Sequence, residues 1–357
     1  MMTGTSASSP SYQSEQIEAL LAKSGWAGAQ RRHLAGDASL RTFETVAEGG
    51  RNAVLMRWPF TGNQVPDAVR SYMTRVHLAQ DCRSVLAIGQ ELRAHGFRAP
   101  EVFAADIEAG LILSEDLGRT TLVEHGRPVE ERYHAAAKLL ARLHGEAWPE
   151  VVKISGNTSY QVPVYTSEAL IAEASLFLDW YYPELAGEAA PQEVRTEFEA
   201  LWKKALSSIR SAETGWVLRD FHSPNLLWQP AAAEADRIGL IDFQDTVIGP
   251  VAYDAASLFL DARTDISVEL ESALRNAYVA CRVDQNANFD VTSFDRAYGV
   301  MALQRITKIL GIFVRLARRD NKPGYLGHLP RMQGYLQRVL DSGAVPDLKE
   351  WYLRYAR

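Results

Sequence analysis

A chain of 357 residues, 47% hydrophobic and 23% charged, has ordinary globular composition, and its length asks for two lobes or domains rather than one core. A formal net charge of −6 disfavours a partner held by neutralising nucleic-acid phosphates. The two cysteines, Cys82 and Cys281, have no partners at metal-ligand spacing, which disfavours a zinc site or disulfide framework and suits a reducing cytoplasm.

Residues 1–13 are rich in Ser and Thr, lack the basic start and apolar run of a secretory signal, and read as a flexible tail. No stretch approaches the ~20 apolar residues of a membrane span, so a cytoplasmic chain without a membrane partner is expected. Ser14 is the candidate cap of a helix carrying Ile17, Leu20 and Leu21, with Gly25 as its stop. Strand patterns at 40–46 and 53–58 flank a polar, Gly-containing stretch and predict a hairpin; a third lies at 111–114. Between them Val85, Ile88 and Leu92 fall on one face of a helix that ends near His95-Gly96.

Beyond Arg119 the pattern turns helical. Residues 128–144 open with Pro128 and place Tyr133, Ala136, Ala137, Leu140 and His144 at helical spacing, with Leu139 and Leu143 widening the stripe. Helical patterns recur at 167–182, 192–211, 250–262, 267–281 and 293–319, interrupted by short β segments at 216–218, 226–228 and 238–241. This order predicts an α+β, two-lobed fold. A small β-rich N-lobe (14–117) passes through a tight connection near 115–118 into a large helical C-lobe (118–357), with a cleft at the joint.

Chemistry concentrates in Val217-Leu-Arg-Asp-Phe-His-Ser-Pro-Asn-Leu-Leu-Trp228, where Asn225 follows Asp220 by five residues, and in Ile241-Asp242-Phe243. A hairpin of 226–228 with 238–241 would bring Asn225 close to Asp242. These two side chains could hold Mg²⁺, which takes one or two protein carboxylates plus substrate phosphates. Asp220 would then stand ready to accept a hydroxyl proton. One Asp or Asn in a turn is usually a cap; Asp-x4-Asn, a hairpin and Asp-Phe together form a phosphoryl-transfer pattern.

At these residues the chain resembles the aminoglycoside phosphotransferase family, relatives of the protein kinases. The resemblance implies a protein-kinase-like fold that uses ATP and Mg²⁺. Leu218-Arg219-Asp220 sits where the family carries His-Gly-Asp or His-Arg-Asp, which makes Asp220 the catalytic residue and Asn225 and Asp242 the metal ligands. Gly249-Pro-Val-Ala-Tyr-Asp254 resembles the family's Gly-Asp-Pro-x-x-Asp, whose last aspartate braces the catalytic loop. Leu139-Leu-Ala-Arg-Leu-His-Gly145 and Leu113-Ser-Glu-Asp-Leu-Gly118 fit a lobe helix and the hinge, where Glu115 and Leu117 would meet adenine through backbone atoms. A narrower resemblance is to bacterial anomeric kinases of cell-wall amino sugars, which phosphorylate the C1 hydroxyl of N-acetylmuramate or N-acetylglucosamine in peptidoglycan recycling. It rests on 218–228, on Gly239-Leu-Ile-Asp-Phe-Gln-Asp245 and on Ala302-Leu-Gln-Arg-Ile-Thr-Lys-Ile-Leu-Gly-Ile-Phe313. It implies an amino sugar and ATP as partners, and a monomer or weak dimer is expected.

The chain departs from the family at the third strand, Ala53-Val-Leu-Met-Arg-Trp58, which has no phosphate-binding lysine. Met56 and Arg57 are the nearest registers and alternate between faces; if Met56 holds the lysine's place, Arg57 points away. No glutamate stands near Ser84 or Val85 to partner a lysine. Phosphate charge must then be met by Mg²⁺ and backbone amides, with or without another cation. The loop Ala35-Gly-Asp-Ala-Ser-Leu-Arg41, with Gly36, Asp37 and Ser39, either folds over phosphates through its N–H groups or is an ordinary polar turn. Gln244 and Asp245 either order Asp242 or form a surface turn. Arg219, His222 and Arg305 are the acceptor-side candidates. His222 is expected to position the loop, and Arg305 to meet an anionic acceptor from a helix that also carries Lys308, Arg315 and Arg319. Two alternatives stay open. One is an aminoglycoside, choline or homoserine kinase, although 302–319 is basic where a cationic acceptor wants acid. The other is a nucleotide-binding pseudokinase, which the missing lysine favours and the intact Asp220, Asn225 and Asp242 oppose.

Overall fold

The protein is described by a computed structural model covering residues 10–34 (side chains from residue 14), 41–58, 65–230, 232–233 and 237–356. Its N-lobe is a five-stranded antiparallel sheet in the order β1-β2-β3-β5-β4. The strands are β1 (Gln30–Leu34), β2 (Thr42–Glu48), β3 (Arg51–Arg57), β4 (Val102–Asp106) and β5 (Leu111–Glu115). The expected hairpin forms because Gly49 and Gly50 take φ of 55° and 80° between the paired ends Glu48 and Arg51. Both central residues of such a two-residue turn need positive φ. β1 reads Gln-Arg-Arg-His-Leu, an edge strand whose polar residues hide any apolar alternation.

Alternation along β3 sorts the two faces. Ala53 and Leu55 join Ile17, Leu20 and Leu21 of α1 (Pro10–Lys23) on one side. Met56 joins Trp58, Ile112 and Leu86 on the other, beneath α3 (Arg83–Ala94). α1 begins at Pro10 rather than at a Ser14 cap; a proline in the first turn loses no hydrogen bond. Between β3 and α3 lies α2 (Asp67–Arg75). It belongs to the first lobe by sequence, yet the stretch after it docks on the second. Val76 C=O accepts from the Arg219 guanidinium at 2.9 Å, and Ala79 N–H donates to Asp245 at 2.7 Å.

The C-lobe opens with a small hairpin, β6 (Val123–Glu124) and β7 (Arg127–Pro128), then α4 (Glu130–Gly145) and a second hairpin, β8 (Val151–Ser155) and β9 (Thr158–Gln161). The helical pattern over 167–182 resolves into α5 (Ser167–Ala174), a π-helical turn (Phe177–Tyr181) and α6 (Tyr182–Ala186). α7 (Gln192–Ser207) leads to β10 (Thr214–Val217), β11 (Leu226–Trp228), β12 (Ile238–Leu240) and β13 (Val247–Pro250). β13 pairs with β10, so the next helix, α8 (Ala252–Phe259), starts later than the 250 expected. α9 (Val268–Gln285), α10 (Val291–Arg318), α11 (Leu329–Asp341) and α12 (Pro346–Tyr355) complete the lobe. α10, at 28 residues, is buried along most of its length and runs behind the loop between β10 and β11. No helix among the described residues is long and apolar enough to cross a membrane.

Candidate active site

β10 delivers the chain into a strained turn. Arg219 takes φ of 67°, a left-handed conformation that costs a residue with a Cβ on the order of 1 kcal/mol and persists only when its surroundings hold it. Two elements do so here. Asp254, at the start of α8, accepts from Leu218 N–H at 2.6 Å and Arg219 N–H at 2.9 Å. From α10, Arg305 donates to the Arg219 carbonyl at 2.7 Å. One residue on, Asp220 enters the cleft. The far end of the loop is tied by Asp261, which accepts from Ser223 N–H and the Tyr133 hydroxyl, each at 2.8 Å.

The β11–β12 hairpin brings the second carboxylate. Leu226 pairs with Leu240, and Ile241 N–H donates to Asn225 C=O at 3.1 Å, so Asp242 emerges beside Asn225. The Asn225 amide nitrogen donates to Asp220 C=O at 3.0 Å and approaches Asp242 at 3.4 Å, which turns its oxygen toward the cleft. Among the described residues no trio of His, Cys, Asp or Glu side chains could cage a metal alone. An amide oxygen and a carboxylate with open positions beside them fit a Mg²⁺ that also binds phosphates and water.

The Asp220 side chain is 40% exposed, with Arg305 Nη2 at 3.7 Å and His222 Nε2 at 4.0 Å. Partial burial pushes its pKa up, but the positive charges of Arg305, Lys308 and Arg219, joined by His222 where that ring is protonated at acid pH, outweigh this and hold it at about 2. Burial pushes His222 below the usual imidazole range, so at neutral pH it is a neutral ring beside the loop.

Of the acceptor-side candidates, Arg219 turns away from Asp220 and Arg305 lies beside it. Arg219 is 1% exposed: its guanidinium turns inward to Glu173 of α5 and to the Val76 carbonyl, stacked 4.9 Å from the Tyr165 ring. The buried Glu173 needs that charge, and Lys308 of α10 also pairs with it at 2.8 Å. Arg305, 5% exposed, donates to the Arg219 carbonyl at 2.7 Å and lies 3.7 Å from Asp220. Glu173 and Asp261 escaped the sequence reading. Their signal is an acid inside an apolar run, Ala169-Leu-Ile-Ala-Glu-Ala174 and Leu258-Phe-Leu-Asp261.

On the nucleotide side, Glu115 N–H is taken by Glu101 C=O at 2.8 Å and its carboxylate by Arg98 at 2.6 Å. Leu117 C=O accepts from Gln229 at 2.7 Å, while Leu117 N–H has no partner among the described residues. Gly36, Asp37 and Ser39 lie outside the described residues. Met56 faces α3, and Arg57, on the opposite face, donates to Thr42 Oγ1 at 3.1 Å. The cation that reaches the cleft is Arg41, which donates to Asp242 Oδ1 and Gln244 Oε1, each at 2.6 Å. Gln244 donates to Asp245 at 2.9 Å and is 2% exposed, so this pair orders the site and is no surface turn.

This geometry has relatives. The model of the phosphotransferase enzyme family matches residues 30–287. An N-acetylmuramate/N-acetylglucosamine kinase of Caulobacter vibrioides is 34% identical, over 94% of this chain and 95% of that protein. A kinase of the same description from Pseudomonas aeruginosa is 31% identical over 72% of this chain and 73% of its own. Among solved structures, a microcompartment-associated aminopropanol kinase superposes with a TM-score of 0.58 at 15% identity, covering 92% of this chain and 99% of its own. A choline kinase from Cryptosporidium parvum gives 0.57 at 13% identity, covering 95% and 99%. At such identities the likeness concerns the fold, which is kinase-like. With a family model that matches residues 30–287, most of its length, the chain belongs to the phosphotransferase enzyme family.

Proposed function

We propose that this protein transfers the γ-phosphoryl group of ATP to the anomeric C1 hydroxyl of N-acetylmuramate and N-acetylglucosamine, in the cytoplasm. One observation carries the reading: the 34% identity with a kinase named for both sugars covers 94% of the chain. It therefore includes α10, which lies beyond the family match at 30–287 and supplies Arg305 to Asp220.

Asp220 orients the C1 hydroxyl and receives its proton; the sugar oxygen bonds to the γ-phosphorus as the β,γ P–O bond breaks, leaving ADP and a sugar 1-phosphate. Asn225 and Asp242 would hold Mg²⁺, which when bound neutralises phosphate charge. Leu117 N–H would meet adenine. A cationic acceptor such as choline fits poorly beside the basic face of α10. Replacing the C1 hydroxyl by a methyl glycoside should abolish phosphorylation of N-acetylglucosamine. The free sugar should give an acid-labile product without a reducing end, and a phosphorylated methyl glycoside would return the acceptor to unknown.

A further inference from the structure

Phosphates brought between these lobes need a protein cation, and β3 does not provide one. Met56 is 4% exposed and packed with Trp58, Leu86 and Ile112, while Arg57 leaves on the opposite face. α3 offers Ser84 and Val85 where an acidic partner for a lysine would stand. The neighbouring strand reaches the same space. β2 pairs with β3 so that Phe43 lies opposite Met56, and Arg41, two residues earlier, shares its face. The Arg41 guanidinium lies 5.3 Å from the Trp58 ring and 5.7 Å from the Phe43 ring, with its side chain 12% exposed. From there it spans into the C-lobe, to Asp242 and Gln244.

Resting on the phosphotransfer reading above, we propose that Arg41 is the phosphate-binding cation of this enzyme, supplied from the residue just before β2 in place of a β3 lysine, and that its ion pair with Asp242 is a latch exchanged when metal and nucleotide enter. The chemistry suits both states. Guanidinium is planar, permanently charged, and pairs with either a carboxylate or two phosphate oxygens. The Trp58 and Phe43 rings hold its plane without competing for its N–H groups. Gln244, neutral and itself fixed by Asp245, can keep one Arg41 nitrogen while Asp242 turns to a cation. Asp242 Oδ1 cannot serve Arg41 and a metal equally well, so Arg41 opposes a metal arriving alone and favours one arriving with phosphates.

That opposition yields a signature a merely structural arginine would lack. Arg41→Gln should bind Mn²⁺ alone more tightly, because Asp242 is released, and bind Mg·ADP about 10- to 100-fold more weakly, the scale of one lost charged hydrogen-bond donor. Both are read by titration calorimetry without sugar, with thermal unfolding of the unliganded variant as a check on folding. Adding Met56→Lys to Arg41→Gln should recover at least a third of the lost Mg·ADP affinity on a logarithmic scale, because it restores a cation on the same face. Arg57→Ala should leave Mg·ADP binding within about twofold. Mg·ADP affinity of Arg41→Gln within twofold of wild type, or parallel weakening of Mn²⁺ and Mg·ADP, would overturn the proposal; so would an Arg57→Ala defect as large as that of Arg41→Gln. Should Arg41→Gln not fold, Arg41→Lys takes its place, and the same opposite shifts at smaller size are required. Since no arm contains sugar, failure of the sugar assignment would leave these results standing, whereas a wild-type chain that binds no nucleotide would remove both.

Discussion

At Asp220 two demands conflict. A proton acceptor should be basic, yet the cations around this carboxylate hold it at about 2. A base that weak cannot ionise a sugar hydroxyl before bond formation. It can orient the oxygen and take the proton late, which suffices in a loose phosphoryl-transfer transition state. The sign of the pH dependence follows. Because the pKa is depressed, the active carboxylate form persists on acidification until near that value, so wild type should show no acid limb from Asp220 between about pH 4 and 8. Arg305→Ala removes the strongest of the opposing charges. The Asp220 pKa should rise, an acid limb should move into the measurable range, and kcat should fall for both sugars alike. Adding Asp220→Asn to Arg305→Ala should remove that limb, and Asp220→Asn alone should cost at least ~10²-fold in kcat. A defect of Arg305→Ala confined to N-acetylmuramate would instead give Arg305 to the substrate. Asp220, Asn225, Asp242 and Asp254 were legible because chain spacing and one hairpin decide where they go. The side-chain directions of Arg219 and Arg305 were not, because Glu173 on a distant helix draws in the first, while the Arg219 carbonyl and Asp220 hold the second.

Element boundaries show the same division. The β2–β3 hairpin was readable from two adjacent glycines, and α10 from an apolar stripe that no break interrupts. The break between α5 and α6 has one local signal, Pro183 in the first turn of α6, and a tertiary neighbour that chain spacing does not reveal: α10 passes Leu176 backbone to backbone at Gly311. A Cβ on Gly311 would fall well inside contact distance of the Leu176 carbonyl carbon and oxygen, and backbone cannot swing aside as a side chain can. Gly311→Ala should therefore destabilise the protein by about 1–3 kcal/mol, read as a lowered denaturant midpoint with unchanged slope. Gly334 of α11 is the control, with nothing within 4 Å of the place an alanine methyl would take. There the better helix propensity of alanine should raise stability by up to ~1 kcal/mol. Equal effects at the two sites would refute the backbone contact.

For the whole molecule, two lobes and a cleft followed from the order of β and helical patterns. How the lobes interlock did not, since Arg219 to Val76 and Asp245 to Ala79 join segments far apart in sequence. That interlock brings Tyr72 of α2 beside Arg315 of α10, two turns beyond Lys308. Lys308 is committed to Glu173, and Arg305 to Asp220 and the loop. Arg315 makes no carboxylate ion pair among the described residues, and burial pulls its pKa down, so a substrate anion there would be met by an underused charge. The overall charge of −6 opposes an anionic sugar, but charges farther away than the ~10 Å screening length at 0.1 M salt act weakly. The local cation should win. Raising KCl from about 0.05 to 0.3 M at saturating Mg·ATP should raise KM for N-acetylmuramate roughly twofold or more, and leave that for the uncharged N-acetylglucosamine unchanged. Arg315→Ala should raise KM for N-acetylmuramate selectively and abolish its salt response. If salt moved both KM values together, the discrimination would come from ATP or from the global field, and Arg315 would have no part in it.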